Sequence, residues 1–170
     1  MRKAALPGFE ELYQEHASRL FNLAWRMCGT RTDAEDLLQD IFLLAYRKLP
    51  DFRGESAVGT WLYRLAINRC LDHLKSLQTR NDRATGALDD EQLIERPGRH
   101  SAPLGCIQKM DLERAIAKLP DGARAAFLLH DVEGFQHQEV AAMLGISEGT
   151  SRSQVHKARL RMREYLRATK

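Results

Sequence analysis

Apolar residues recur along most of this chain at spacings of three and four, the period of a helix with one buried face. Phe9, Leu12, Tyr13, Ala17, Leu20, Phe21, Ala24, Trp25 and Cys28 form the first such stripe, and Gly29 predicts its end. A second helix is expected to open at Thr32, where Thr32-x-x-Glu35 has the form of a capping box, and to turn Leu38, Ile41, Phe42, Ala45 and Leu49 inward before Pro50 stops it. The polar loop Asp51 to Ser56, holding the single aromatic Phe52, leads into a third helix from about Val58 to Leu77. Its buried side takes Leu62, Leu65, Ala66, Cys70, Leu74 and Leu77, while Arg64, Asn68, Asp72 and Lys75 share another face.

From residue 80 to 105 the periodicity disappears among Gly86, Pro97, Gly98, Pro103, Gly105 and mixed charges, the composition of a flexible linker. Helical spacing returns near Ile107, restarts after Leu119-Pro120 and pauses at Gly134. Two more helices follow. Val140, Ala141 and Leu144 face inward on the first, Gly145-Ile146 makes the turn, and Ser147 caps the second. The expected fold is all-α, with two small helical domains at 1–79 and 106–170 joined by the linker 80–105.

A helix, a glycine turn and a capped helix, with the small pair Ala141-Ala142 for close approach, have the spacing of a helix-turn-helix. On the last helix Val155, Ala158, Met162 and Leu166 point inward, whereas Arg152, Ser153, His156, Lys157, Arg159 and Arg163 lie toward the outside. A basic face alone is often only solvated, but behind such a turn it favours the DNA major groove. Arg152, Ser153, His156 and Lys157, near the helix start, are the candidates for base edges; Arg159, Arg161 and Arg163 are suited to phosphates.

Charge sharpens this division. Over 170 residues the formal net charge is only +3, yet Thr150 to Lys170 hold seven Lys/Arg against the single acid Glu164, a local excess of +6. The second helix is the opposite: Asp33, Glu35, Asp36 and Asp40 precede any base. The helix dipole accounts for acids in the first turn. Asp40, beside Gln39, lies beyond it and suits a protein-docking ridge. Trp61 and Tyr63, near Arg64, Asn68 and Arg69, put aromatics beside cations, an arrangement able to stack an unpaired base and also compatible with ordinary core packing.

Three stretches together resemble the sigma-70 family of bacterial transcription initiation factors, in its short extracytoplasmic-function (ECF) group. Asp33–Leu49 is similar to the family's core-polymerase-binding helix, and Phe52–Asn68 to its promoter-melting loop and minus-ten helix. Leu119-Pro120, Gly134-Phe135 and Glu139–Arg159 are similar to its minus-thirty-five reader. The resemblance implies a non-enzymatic sigma subunit that binds core RNA polymerase and directs promoter-specific initiation. Asp36, Gln39 and Asp40 would dock on the clamp of the polymerase largest subunit. Phe52, Ser56, Trp61, Arg64 and Asn68 would serve minus-ten recognition and melting on single-stranded DNA. Arg152, Ser153, His156, Lys157, Arg159 and Arg163 would read or hold the minus-thirty-five duplex. It also implies an anti-sigma factor as a partner. Ser151, Gln154 and Gln136 depart from the valine, arginine and serine or threonine usual in the family, and His156 is unusual; Gln136 is expected to leave its helix less well capped.

The alternative reading is a helix-turn-helix regulator acting without core polymerase, which needs no acidic ridge and no aromatic loop. An enzyme is disfavoured: His16, His73, His100, His130, His137 and His156 are scattered, with no metal-ligand spacing and no nucleophile set, so no catalytic residue, metal or cofactor is expected. Cys28, Cys70 and Cys106, odd in number and without a ligand motif, suggest reduced buried thiols and a cytoplasmic protein. No apolar run approaches the roughly 18 residues of a membrane span.

Overall fold

Helices α1 (Phe9–Cys28), α2 (Arg31–Lys48) and α3 (Val58–Ala84) pack around one another to form the first half of the chain. The computed structural model describes residues 8–84 and 104–168, with side chains at 8–83 and 109–168. Leu20, Leu23 and Met27 of α1 are sealed against Ile41 of α2 and Leu62, Ile67 and Cys70 of α3. Each fully buried aliphatic side chain contributes about 1.5–3 kcal/mol. Leu49–Asp51 form a short 3-10 turn after α2, and Phe52 then leaves the helix in an extended conformation.

Helix α1 ends because Gly29 takes the left-handed conformation, φ 83°, and its N–H returns to the Trp25 carbonyl at 2.8 Å. Gly29→Ala is expected to lower stability by about 1–2 kcal/mol through backbone strain alone, since a Cβ there meets no atom within 4 Å. A thermal denaturation midpoint unchanged by the substitution contradicts this account.

Two helix limits differ from those expected. The N-cap of α2 is Thr30, not Thr32: the turn at Gly29 leaves Thr30 extended, and its Oγ1 accepts the Asp33 N–H at 3.2 Å. Glu35, the expected partner of a Thr32 box, instead pairs with Arg31 at 2.8 Å. Helix α3 continues to Ala84, into the stretch read as linker. The apolar stripe fades after Leu77, but no glycine or proline interrupts the polar turns before Gly86, and helix propagation does not require a buried face.

The second half holds α4 (Leu104–Ala117), α5 (Asp121–Phe127), α6 (His137–Leu144) and α7 (Glu148–Ala168). A π-helical turn, Leu128–Val132, extends α5, with the Glu133 N–H reaching the Leu128 carbonyl at 3.0 Å. Gly134, at φ 84°, then reverses the chain. Helix α7 packs on α4, α5 and α6, burying Val155, Ala158 and Met162 against Leu128, Leu129 and Val140. Among the described residues there is no strand, and no helix is long and apolar enough to cross a membrane.

The two halves meet along α1 and α3. Arg26 of α1 donates Nε and Nη2 to the Glu113 carboxylate of α4 at 2.8–3.1 Å. Arg124 of α5 is almost enclosed, donating Nη2 to the Ala117 and Leu119 carbonyls at 2.9 and 2.8 Å and Nη1 to the Met27 carbonyl of α1. Burial pulls its pKa below the ordinary arginine value, against the opposing pull of Asp121 and Cys28. Cys70 is buried, and Cys28 is only partly exposed. A hydrogen bond with Cys28, reinforced by burial, holds the Cys70 thiol well above the usual range, so it stays protonated at neutral pH. Cys106 lies outside the residues whose side chains are described.

Candidate nucleic-acid interface

The turn between α6 and α7 is built by local chemistry. Gly145 adopts φ 66°, ψ 35°, closing α6 with its N–H on the Ala141 carbonyl. Ser147 Oγ accepts the Thr150 N–H at 3.0 Å, the cap expected for α7. Gln136 does not cap α6 through its side chain in the hydrogen-bond geometry; its own N–H is instead held by Glu139 Oε2 at 2.9 Å. The expected capping deficit is therefore partly offset from within the helix's first turn.

Helix α7 presents Arg152, Ser153, His156, Lys157, Arg159 and Arg163 to the outside, with Val155, Ala158 and Met162 beneath. Arg152 leans on Glu148 one turn earlier at 2.6 Å, an exposed pair that a phosphate or base can displace at little cost. Arg159 is more constrained. Its Nε and Nη2 grip both oxygens of Asp131 at 2.7 and 2.6 Å, and that bond raises its pKa. Sequence spacing gave no sign of Asp131, because the residue arrives from the π-helical turn 28 positions earlier.

Ser151 is wholly buried, which explains how a hydroxyl occupies a position read as apolar: it is hydrogen-bonded to His137 Nδ1 at 3.1 Å. The His137 ring stacks on His130, with centroids 3.9 Å apart and planes 20° apart, and His130 Nδ1–H donates to the Phe135 carbonyl at 2.7 Å. Burial lowers the His137 pKa, reinforced by His130, Arg152 and Arg159 and opposed by Glu148. A folded pKa below the unfolded value of about 6.5 means that the unfolded chain takes up this proton first, so stability falls as pH drops through that range. Wild type is expected to show a lower melting temperature at pH 5.5 than at pH 7.5, with a smaller difference in His137→Gln; an identical difference in both removes His137 from the effect. Among the described residues, no group of three or more His, Cys, Asp or Glu is arranged to hold a metal ion.

On α2, Asp36 and Gln39 are exposed and Asp40 is half-buried, forming a ridge along the helix. Asp40 pairs with Arg69 of α3 at 2.6 Å. The groove between these helices is lined by Asp40, Arg47, Lys48, Trp61, Arg64, Asn68 and Arg69, among others. It thus gathers three of the expected minus-ten residues and Arg69 with two further cations, Arg47 and Lys48, that helical-face reasoning left unassigned. Their signal was weak because Arg47 and Lys48 close a different helix. Phe52 meets the Trp61 ring at 5.2 Å, and Ser56 is exposed nearby in sequence with its hydroxyl on the Ala57 carbonyl.

Tyr63 is not available for base stacking. It is 3% exposed, its hydroxyl donates to Glu133 at 2.7 Å, and Phe135 packs on its ring at 5.1 Å. Burial and the Glu133 carboxylate push its pKa well up. Asn68 is exposed at its rim, and its Nδ2 donates to the Arg64 carbonyl at 2.8 Å and to the Met143 carbonyl of α6 at 3.1 Å.

Comparison with known proteins matches residues 12–80 to Sigma-70 region 2 and residues 109–162 to Sigma-70, region 4. The chain is 35% identical over 168 residues to the ECF RNA polymerase sigma factor SigE of Mycolicibacterium smegmatis, covering 96% of this chain and 63% of that protein. It is 33% identical over 160 residues to the ECF RNA polymerase sigma factor SigM of Mycobacterium tuberculosis, covering 94% and 77%. The fold aligns with the sigma factor RpoE in its co-crystal with the anti-sigma factor NepR from Bartonella quintana, at a TM-score of 0.78 and 25% identity, over 95% of this chain and 98% of that one. It also aligns with CnrH in complex with the cytosolic domain of CnrY, at a TM-score of 0.68 and 23% identity, covering 95% and 89%.

Proposed function

The chain belongs to the sigma-70 family of transcription factors, in its extracytoplasmic-function group, and from that premise we propose that it acts as an alternative sigma subunit, binding core RNA polymerase and directing initiation at a specific set of promoters. The observation that carries this reading is the presence, in one chain and in family order, of an exposed acidic ridge on α2, a cation-and-aromatic groove beside α3 and an exposed basic face on α7. A regulator that reads DNA without polymerase has use for the third only.

In this reading residues 1–79 form the polymerase and minus-ten domain, 80–105 the linker and 106–170 the minus-thirty-five domain. Asp36, Gln39 and Asp40 engage the clamp of the polymerase largest subunit. Phe52, Ser56, Trp61, Arg64 and Asn68 handle the separated minus-ten strand, where aromatic faces stack bases and cations hold the backbone. Arg152, Ser153, His156 and Lys157 contact base edges, and Arg159 and Arg163 hold phosphates. The protein contributes specificity rather than catalysis, works in the cytoplasm beside polymerase, and is restrained by an anti-sigma factor.

Mixing the protein with core polymerase on a promoter library tests the reading. Specific transcripts and co-purification with core are expected; absence of both refutes it. Asp40→Ala is expected to weaken core binding about tenfold or more, because a docking carboxylate is lost, while folding stability changes by less than about 1 kcal/mol, the usual worth of an exposed ion pair. Unchanged core affinity takes Asp40 out of the docking ridge.

A further inference from the structure

Asp131 and Arg159 are joined more closely than two surface residues need to be. Arg159 gives Nε and Nη2 to the two carboxylate oxygens at 2.7 and 2.6 Å, in a side-on fork. The acid is recessed and the base is not: the Asp131 side chain is 19% exposed, that of Arg159 53%. An ion pair this open contributes little to stability, so folding does not account for it. Asp131 belongs to the π-helical turn Leu128–Val132, a rare irregularity of the kind that frequently marks a functional site. Its neighbour in that turn is held as well. His130 Nε2 lies 3.7 Å from Asp131 Oδ1, while the His130 ring is fixed by the Phe135 carbonyl and by its stack on His137, itself bonded to Ser151 of α7.

Arg159 stands on the outward stripe of α7 with Arg152 and Arg163, seven residues after the first and four before the second. A free arginine there is a mobile cation that attaches to any phosphate within reach and adds to sequence-blind, salt-sensitive binding. The paired Arg159 differs in two ways. Its charge is locally cancelled, and its Nε–Nη2 edge is occupied, which leaves the Nη1–Nη2 edge, a pair of parallel N–H groups matched to two oxygens of one phosphate. Held in place, that edge loses little further freedom on binding, but it accepts a phosphate from one direction only. We propose that Asp131 is a positioning residue that sets the DNA selectivity of α7: it presents Arg159 as a fixed fork to one backbone phosphate, which the fork meets only when the helix is seated in register, and it withholds that charge from unseated contacts with DNA. Selectivity is a difference between two affinities, and Asp131 acts on both, raising the seated one and lowering the unseated one. The DNA contact rests on the function proposed above; the fixing of Arg159 by Asp131 does not.

The test uses the full chain, alone and reconstituted with core polymerase, on the tightest minus-thirty-five element that wild type selects from a random library and on a mixed-sequence duplex of equal length. Wild type, Asp131→Asn, Arg159→Ala and the double variant are compared across a salt series. Asp131→Asn is expected to bind the mixed duplex about threefold more tightly, to steepen its salt slope there by about one, and to lower the preference for the selected duplex about tenfold. In the Arg159→Ala background the same change is expected to leave slope and preference as they are, since Asp131 acts through Arg159. Equal effects of Asp131→Asn in both backgrounds reduce Asp131 to a general negative charge and overturn the proposal. Asp131→Glu keeps the charge and moves the carboxylate by one methylene. It is expected to hold the mixed-duplex affinity and to lose part of the selected one, and it decides the matter if Asp131→Asn fails to fold: an unchanged preference overturns the positioning. Loss of a guanine preference at one base position in Arg159→Ala moves the fork from phosphate to base edge and overturns the phosphate assignment. A wild type that binds neither duplex, with or without core, overturns the sigma reading and this role with it; a wild type that selects DNA, with Asp131→Asn indistinguishable from it, overturns this role alone.

Discussion

Arg124→Ala is expected to lower the unfolding free energy by about 2–4 kcal/mol, the largest loss from any single substitution considered for this protein. The guanidinium satisfies three backbone carbonyls: Ala117 at the end of α4, Leu119 in the turn before Pro120, and Met27 at the end of α1. Carbonyls at helix ends have no partner within their own helix. With the side chain 12% exposed, little water stands ready to replace it. Each hydrogen bond from a charged donor is worth about 1.5–3 kcal/mol, but the sum is reduced by what its removal relieves. Its Nε is buried without a partner, and the charge itself is desolvated, its nearest carboxylate oxygen, on Asp121, being 3.7 Å away. Arg124→Lys is expected to recover less than half of the loss, since one ammonium on a flexible stem cannot span three acceptors set around a planar fork. Urea denaturation of the full chain reads both effects. A loss below about 0.5 kcal/mol for Arg124→Ala contradicts the role.

For DNA, Arg152→Ala and Arg163→Ala are expected to separate two kinds of contact. Arg152 stands near the start of α7, where a helix in the major groove brings side chains to base edges, and its present partner Glu148 is an exposed residue one turn earlier. Removing it is expected to cost about 1–3 kcal/mol at one promoter position, roughly five- to 150-fold, and to relax the base preference there. Arg163, three turns on and exposed, is expected to weaken binding evenly across sequences and to lower the salt slope by about one. Binding to a library of minus-thirty-five variants, measured across a salt series, distinguishes them. Equal, sequence-independent losses from both substitutions sink the division of roles.

Arg159 illustrates where spacing misleads. It shares a helical face with Arg152 and Arg163, and periodicity counts all three alike. Asp131, brought in by the π-helical turn, neutralises one of them with two short bonds. Tyr63 is a sharper instance. In sequence it stands beside Trp61 and Arg64, among residues suited to a nucleic acid; in space it is sealed by Glu133 and Phe135, 70 and 72 positions away. Ser151 and His137 satisfy each other across 14 positions. The cap at Thr30 rather than Thr32 is a smaller displacement with a local cause, the left-handed Gly29.

What the sequence by itself determined was periodic or local: most of the buried stripes of α1, α2, α3 and α7, although Tyr13 and Trp25 of the α1 stripe are exposed, the glycine stops at Gly29 and Gly145, the Ser147 cap, the basic outer face of the last helix, and the family to which the ordered motifs belong. Helical period and turn chemistry act over three to five residues, so they are written legibly in the chain. Only the tertiary structure decided which polar groups find partners: Arg124 on three carbonyls, Arg159 on Asp131, Glu133 on Tyr63 and Arg19, and Asn68 on Met143. For the enclosed ones, Arg124 and Glu133, the partner is chosen by the need to satisfy each buried donor and acceptor once the helices have packed; for Arg159 and Asn68 it is whatever the packing brings within reach. Nothing in linear spacing encodes which distant residue will be there.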